Sequence, residues 1–581
     1  MPITRAPERP ASTLAPRRRR RLAALVALLV LAATTRLTLL LAQWPASNSD
    51  EATTGLMAIR IAQARDAPVF MDGQSYMGTL QAYAAALVFR LSGPSLLGLR
   101  LPMLLAYLLF LVLLHVLARR LYGTAVALWS VALLALGSRE LFGHQLVAQG
   151  AMPETLLAGA VLLLLGHRLL EAADDPAARG QLQRRRLAGW GVTASLGLWS
   201  TVLTAPFVAT SGVLVALALR RTTAPAGGKR ALAGGLAAGA LPWLVHDLTH
   251  PWRDSGVVGA LTAYRDGGTG LDGTSPGLAA QVTNTVTTSL AYVTGGSPLA
   301  HPSSPPAWPW GYEGSWRPPT DDPVTTLWGV GLVLLWLAAA ASCVRLLRRP
   351  GIAGAVPTTP PTPATAWART AMLSSAGLTV LAFAAGSTPG VAPANNARYL
   401  VGVLVATPGV LAPLWSLRAA RPRLGAPLRV AVLALAATSL ALGTVQALRD
   451  AGRGPAEGDR RAVLDVLRRE GVAHVYSGYL DCNRLTFLSG ERVMCAVLAG
   501  DAASGLRPGF DRYPPYRTAV QADPGAAFVF RVGDPRLAAL DAAGCGWRER
   551  RQVAGYDIRL PAQRCPAITG ATNAPVDAAG D

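Results

Sequence analysis

The fold is decided near the start of the chain, where residues 17–51 read RRRRRLAALVALLVLAATTRLTLLLAQWPASNSDE. Five arginines precede an apolar run from Leu22 to Trp44, which is long enough to cross a membrane as a helix and longer than the core of a signal peptide. Basic clusters mark the cytoplasmic ends of such helices. The stretch therefore predicts an uncleaved span that delivers Asp50 and Glu51 to the far surface.

The composition predicts a polytopic membrane protein. It has 581 residues, of which 51% are hydrophobic and 15% charged, and its mean hydropathy is +0.33. These values are too apolar for a soluble protein of this length. The formal charge of +21 comes from arginines in short clusters between apolar runs, so we interpret it as a signal of orientation and predict no nucleic-acid partner.

Apolar runs and alternating basic clusters predict about eleven transmembrane helices in a domain at 22–448, after a cytoplasmic basic N-terminus at 1–21. The segment 187–220 has basic clusters at both ends and is predicted to form two short spans, because Pro206 would break one helix. The predicted spans are 22–44, 96–117, 121–137, 155–170, the two within 187–220, 231–248, 326–341, 371–386, 400–417 and 430–448. An odd number of spans places the C-terminal segment on the outside.

The segments between the spans carry further predictions. Loops at 45–95 and 250–325 are predicted outside, and 350–363 is predicted as a cytoplasmic linker rich in proline and threonine. Within the first loop, the amphipathic stretch 77–91 is expected to lie along the membrane interface.

The segment 449–567 predicts an extracytoplasmic α/β domain, followed by a disordered tail at 568–581. Its patterns predict helices at 461–469 and 537–543 and strands at 472–476 and 527–532. Four cysteines lie here, Cys482, Cys495, Cys545 and Cys565, which indicates disulfides and an oxidising compartment. Three pairings are open, and we expect the most local one, Cys482–Cys495 with Cys545–Cys565.

Several short motifs occur in a recognisable order over some four hundred residues. They are Asp50–Glu51, Gly73–Gly78, Leu99–Pro102, Arg119–Gly123, Met152–Glu154 and Arg398–Leu400. In this order they resemble the GT-C superfamily of integral-membrane glycosyltransferases, above all its protein O-mannosyltransferase and aminoarabinose transferase families. The stretches 485–492 and 512–516 look like the soluble domain of bacterial members. Gln149 stands where many members carry arginine, and Glu154 where they often carry aspartate.

The resemblance implies an inverting transferase of the cytoplasmic membrane. Such enzymes move a sugar from a polyprenyl-phosphate donor to an extracytoplasmic glycan, lipid or protein, and membrane lipids surround them. An attacking acceptor needs a base, and we assign that role to Asp50, with Glu51 and Glu154 as supporting acids. Arginine forks suit a phosphate. The residues expected to bind donor phosphate or substrate are Arg60, Arg65, Gln74, Tyr76, Arg398 and Tyr399.

Other interpretations of these residues stay open. Two acids after a span can be a helix N-cap or a solvated loop. Arg36, late in the first span, is expected to snorkel to the outer interface, with contact to the lipid phosphate as the alternative. The aromatic run 308–316 is expected to form an interfacial belt, with stacking on sugar rings as the alternative. The histidines at 144, 246 and 250 form no metal-binding pattern, so the sequence implies no divalent metal and no cofactor.

Two other classes of protein compete with the enzyme. A secondary transporter or flippase would carry interrupted helices in matching halves, and the break at Pro206 has no counterpart. A receptor or scaffold would leave the acidic loop unexplained.

Overall fold

The computed structural model describes residues 14–173, 181–221, 226–251, 255–256, 258, 277–301, 322–348, 362–386, 388–454 and 457–565. The aromatic run at 308–316 and the tail at 568–581 lie outside these residues, as do most of the loop at 250–325 and of the linker at 350–363.

Up to about residue 450, the described residues are mostly helical. The helices are α1 (Leu14–Leu41), α2 (Ser49–Ala62), α3 (Leu80–Ser92), α4 (Leu96–Tyr122), α5 (Thr124–Ala135), α6 (Arg139–Leu146), α7 (Met152–Ala173), α8 (Gln181–Ser200), α9 (Ala205–Arg221), α10 (Ala226–Thr249), α11 (Leu278–Asn284), α12 (Leu290–Thr294), α13 (Ser297–Ala300), α14 (Pro323–Arg348), α15 (Pro363–Ala385), α16 (Thr388–Val391), α17 (Pro393–Asn396), α18 (Thr407–Ala420) and α19 (Pro422–Ala451). A two-stranded sheet, β1 (Phe70–Met71) and β2 (Gln74–Gly78), lies between α2 and α3.

The chain is a multi-pass membrane protein. Within the described residues, nine helices are long and apolar enough to span a membrane, and the bent pair α5–α6 would be a tenth if it forms one broken span. A helix occupies every predicted position, but α8, which the prediction counted as a span, does not meet the same standard of hydropathy. Its first turns carry Arg184, Arg185 and Arg186, which dilute its apolar content.

The break predicted near Pro206 is present. α8 ends at Ser200, a short 3₁₀ turn spans Val202–Thr204, and α9 starts at Ala205. Thr201 caps this turn, because its hydroxyl accepts a hydrogen bond from the Leu203 amide at 3.2 Å. The prolyl residue then falls in the first turn of α9, where a missing N–H is harmless.

The loop at 45–95 is folded rather than irregular. It contains α2, the small sheet and α3, and α3 has the predicted amphipathic character. One face of α3 is buried, with Phe89 at 4% exposure, and the opposite face exposes Leu87 and Leu91 at 65% and 91%. An apolar stripe of this kind suits the boundary between water and lipid.

The C-terminal region is an α/β domain. Its elements are α20 (Gly458–Arg469), β3 (His474–Ser477), α21 (Tyr479–Leu488), β4 (Met494–Asp501), β5 (Gly505–Pro508), α22 (Pro514–Ala522), β6 (Ala527–Arg531), α23 (Pro535–Ala542), β7 (Trp547–Val553) and β8 (Tyr556–Pro561). The strands form one sheet in the order β5-β4-β3-β6-β8-β7, with β3 parallel to both its neighbours and the outer pairs antiparallel. The four predicted elements lie within three residues of their expected bounds.

The C-terminal domain sits on α2, through its helix α21. The Phe487 ring covers Gly55, where a Cβ atom would come within 2.4 Å of it. Asn483 donates a hydrogen bond to the Ser49 hydroxyl at 2.9 Å, and the Ser47 amide donates to Glu457 at 2.5 Å. These contacts bring the domain directly against the helix that carries Asp50 and Glu51.

Candidate active site

Asp50 and Glu51 lie in the first turn of α2. Asn48 caps this helix, because its side-chain oxygen accepts a hydrogen bond from the Glu51 amide at 2.8 Å. Carboxylates are favoured at this end of a helix by its dipole and its unpaired amides. The cap is thus Asn48 rather than either acid, and both carboxylates are available for other contacts.

The carboxylate of Glu51 is fully occupied. The Arg100 guanidinium of α4 donates to both of its oxygens, at 2.8 and 2.6 Å, and the Ala148 amide donates to Oε1 at 3.0 Å. Both side chains are buried, at 0% and 1% exposure. Glu51 therefore joins α2, α4 and the segment after α6, and its burial leaves it without access to a substrate.

Asp50 differs from its neighbour, since its side chain is 31% exposed. Two groups of the C-terminal domain reach its Oδ1 atom: Arg512 Nη2 at 2.5 Å and the Tyr479 hydroxyl at 3.4 Å. Among the described residues, no hydrogen bond falls on Oδ2. One oxygen of this carboxylate is held and the other can accept a proton.

Tyr76, on β2, lies beside Asp50. Burial raises the pKa of the Tyr76 phenol to about 12, so the group stays neutral and can donate a hydrogen bond. The side chains that act electrostatically on this phenol are Tyr399, Arg512, Asp50 and Arg398. Four of the residues selected from the sequence therefore converge at one place, although they are distant along the chain.

Arg398 and Tyr399 are adjacent residues at the start of a 3₁₀ segment, Ala397–Ala406, that leads into α18. The Arg398 guanidinium donates to the Tyr399 hydroxyl at 3.1 Å and lies 5.0 Å from the centre of its ring. Gln74, at the start of β2, pairs with Met71 across the small sheet and is half-buried. It shapes the strand that carries Tyr76.

Glu154, in the first turn of α7, is bound to the first loop through Gln81 of α3. The Gln81 amide donates to its Oε2 at 2.8 Å and accepts from the Gly150 amide at 2.9 Å. Within the described residues, Glu154 Oε1 is buried without a hydrogen-bond partner. Gln149, in the same segment, accepts from Asn48 at 2.7 Å. Hydrogen bonds therefore join the segment that carries Asp50 and Glu51 to the segment that carries Glu154.

Arg60 and Arg65, which were predicted to bind phosphate, each form an ion pair with an acidic side chain of the protein. The Arg60 guanidinium is buried, forms an ion pair with Asp72 and stacks 3.9 Å from the centre of the Tyr513 ring. Arg65 forms an ion pair with Glu491. Both side chains join the first loop to the C-terminal domain, so their predicted role as phosphate ligands lacks support from their contacts.

The prediction that Arg36 snorkels is wrong. Its side chain is fully buried and donates to Gln145 at 2.6 and 3.0 Å and to the Leu134 and Ala135 carbonyls at 3.1 and 2.9 Å. α5 ends at Ala135, which leaves carbonyl oxygens without helical partners, and Arg36 satisfies them. The bend between α5 and α6 leaves these carbonyl oxygens in need of a donor, and hydropathy alone does not reveal the bend.

Sequence reasoning missed two residues at the candidate site, Tyr479 and Arg512. Arg512 belongs to a stretch, Arg512–Tyr516, that carries the family resemblance, but nothing in its local pattern links it to Asp50. Arg512 and Asp50 are 462 positions apart in the chain. Only the seating of the C-terminal domain on α2 brings them together.

Four of the five cysteines lie in the C-terminal domain. The structure pairs Cys482 with Cys495 and Cys545 with Cys565, and Cys343 is a buried free thiol in α14. No group of three or more His, Cys, Asp or Glu side chains in the described residues is placed to hold a metal ion.

These features define a class: a polytopic helical membrane fold with a C-terminal α/β domain packed on its first extramembrane helix. The structure of ArnT from Cupriavidus metallidurans bound to undecaprenyl phosphate is similar to it, with a TM-score of 0.51 and 13% identity over 95% of this chain and 98% of that one. AglB from Archaeoglobus fulgidus, in complex with an inhibitory peptide and a dolichol-phosphate, gives a TM-score of 0.47 and 13% identity over 94% and 74%.

No protein-family model matches the sequence, and no curated protein matches it. The predicted fold, a helical membrane domain followed by an α/β domain, is confirmed by the similarity to the ArnT structure.

Proposed function

We propose that this chain is an integral-membrane glycosyltransferase that moves a sugar from a polyprenyl-phosphate donor to an extracytoplasmic acceptor, with inversion at the anomeric carbon. The proposal takes its general class from the fold. The ArnT structure that shares this fold has undecaprenyl phosphate bound, and a donor of that kind keeps its phosphate at the membrane surface. Asp50 lies next to the end of α1, where a bilayer would end.

The observation that carries the proposal is the free oxygen of Asp50. An acceptor hydroxyl or amine attacks the anomeric carbon, the bond from that carbon to the phosphate oxygen breaks, and the acceptor proton passes to Asp50 Oδ2. The pair of electrons in the broken bond leaves with the polyprenyl phosphate. Glu51 cannot take this part, since both of its oxygens are bound.

The leaving phosphate needs a cation, and Arg398 is our choice among the predicted arginines. It acts on the same phenol, Tyr76, as Asp50 does, whereas Arg60 is held by Asp72. Glu154, with one oxygen free of hydrogen bonds among the described residues, is suited to orient the acceptor. We further propose that the protein lies in the cytoplasmic membrane with its N-terminus inside and its C-terminal domain outside.

The test is to incubate the purified protein with a panel of polyprenyl-phosphate sugars and a membrane extract as acceptor source. Mass spectrometry should detect release of free polyprenyl phosphate from at least one donor. Binding of a small solute or lipid without cleavage of any donor would contradict the proposal and favour a transporter or flippase.

A further inference from the structure

Arg512 is an unusual ion-pair partner, because it comes from a separate domain and yet lies buried at the candidate base. Its side chain is 4% exposed. It donates from Nη2 to Asp50 Oδ1 at 2.5 Å, from Nε to the Tyr479 hydroxyl at 2.9 Å and from Nη1 to the Asp72 carbonyl at 3.2 Å. All three arms of the guanidinium are therefore fixed, which leaves its orientation no freedom.

The ring of Tyr479 completes the arrangement. Its hydroxyl accepts from Arg512 and lies 3.4 Å from the same Asp50 oxygen. Burial and the nearby Asp50 charge raise the pKa of this phenol, so it remains protonated and can donate. For Arg512, burial alone would lower the pKa, but Asp50 and Tyr479 outweigh it and raise the pKa, so the cation persists.

We propose that Arg512 and Tyr479 are positioning residues for the proposed reaction, through which the C-terminal domain holds Asp50 by Oδ1 and turns Oδ2 toward the acceptor. This inference rests on the proposed function. A domain that only decorated the membrane part would pack by apolar contacts, as Phe487 does on Gly55. Burying a cation costs free energy that only good pairing offsets, and Arg512 directs its charged pairing to a single oxygen of Asp50. We take that cost as a sign that the position of this carboxylate matters.

The contrast with Glu51 supports the positioning role. Arg100 donates a hydrogen bond to each oxygen of Glu51, and such bidentate ion pairs are among the strongest side-chain interactions. Arg512 instead touches one oxygen of Asp50 and uses its remaining donors elsewhere. Such a contact fixes the carboxylate without consuming it. The proposal predicts that loss of Arg512 lowers the rate of the chemical step while donor binding is retained.

The test compares Arg512→Gln, Arg512→Lys and Tyr479→Phe with the full-length wild type, in donor cleavage and in thermal unfolding. Misplacement of a reacting group by about 1 Å can cost about 10²-fold, so we expect Arg512→Gln to lose about that factor in kcat with KM nearly unchanged. Arg512→Lys should recover part of the loss, since lysine keeps the charge but not the fork. Tyr479→Phe should lose about 2- to 10-fold, the size of one hydrogen bond.

The split between kcat and KM separates positioning from mere folding. A variant that only folds less well should show a lower thermal midpoint, whereas a misplaced Asp50 carboxylate should lower kcat of the folded protein with KM nearly unchanged. Arg507→Gln, an exposed arginine on β5, is the matched control and should leave rate and stability unchanged.

Asp50→Asn distinguishes the two proposals. If Asp50→Asn is inactive while Arg512→Gln and Tyr479→Phe keep the wild-type kcat, the positioning role is refuted and the base stands. If Asp50→Asn turns over normally, the base assignment fails, and the positioning role fails with it.

Discussion

The adjacent acids Asp50 and Glu51 show how far sequence reasoning reaches at the scale of the residue. Their place after the first span marks a candidate site, and the structure then gives them opposite environments. Glu51 is buried against Arg100, whereas Asp50 keeps an exposed oxygen. The difference depends on α4, some fifty positions away, whose side chains cannot be assigned to a partner from a linear pattern.

Glu51→Gln should lower the stability of the protein rather than the rate of the chemical step. It would leave the buried Arg100 cation without a counter-charge, and breaking such a pair costs about 3 to 5 kcal/mol. The measurement is unfolding of the detergent-solubilised protein. Asp465→Asn is the matched control, since its pair with Arg468 is 57% and 72% exposed and should contribute at most about 1 kcal/mol. Equal stability of the two variants would contradict the structural role of Glu51.

Hydropathy and charge are local properties, and at the scale of the element they predicted the long apolar helices. The break at Pro206, the amphipathic α3 and four elements of the C-terminal domain follow from spacing within one segment. The features that the pattern did not reveal arise between elements. Arg36 is the example, because its partners are carbonyls exposed by the bend from α5 to α6.

The C-terminal domain should contain two disulfides. Cys482–Cys495 closes a loop of 13 residues between α21 and β4, and a bond of this kind contributes about 2 to 4 kcal/mol. Peptide mapping without reduction, on protein isolated from its native membrane, should recover Cys482 linked to Cys495 and Cys545 linked to Cys565. Recovery of four free thiols, or of other pairs, would rule this out.

Acid should weaken the C-terminal domain through Asp481. Burial alone would raise the pKa of this carboxyl, but Arg460, Arg484 and Arg531 outweigh it and lower the pKa below the ordinary 3.8. Its contribution to stability is therefore complete above that value and is lost as the pH falls through the lowered pKa. The thermal midpoint should therefore drop as the pH falls below about 4. Asp481→Asn should drop less, and an identical drop would contradict this.

The topology is a property of the whole molecule. Three spans, α15, α18 with its preceding 3₁₀ segment, and α19, separate residue 357 from Gly454. Reporter fusions at these two positions should therefore report opposite sides, cytoplasmic at 357 and external at Gly454. A fusion before Arg18 decides whether α8 spans, since only an odd total puts the N-terminus opposite Gly454. Equal signals at 357 and Gly454 would refute the predicted orientation.

At the same scale, the site itself could not be assembled from the sequence. The spans and the C-terminal domain follow from sequence patterns, but the seating of that domain on α2 depends on long-range contacts such as Phe487 on Gly55 and Arg512 on Asp50. No local pattern specifies which surfaces of two such units meet. The chemistry we propose lies at that junction.

The most direct test of the proposed chemistry is the rate at which Asp50→Asn releases polyprenyl phosphate from a donor that the wild type cleaves. The substitution keeps the size of the side chain and removes the proton acceptor, so turnover should fall by about 10²- to 10⁴-fold while folding is retained. Glu154→Gln should fall less. Near-normal release by Asp50→Asn, with release abolished in Glu154→Gln, would show that Glu154 is the base and would contradict the central claim.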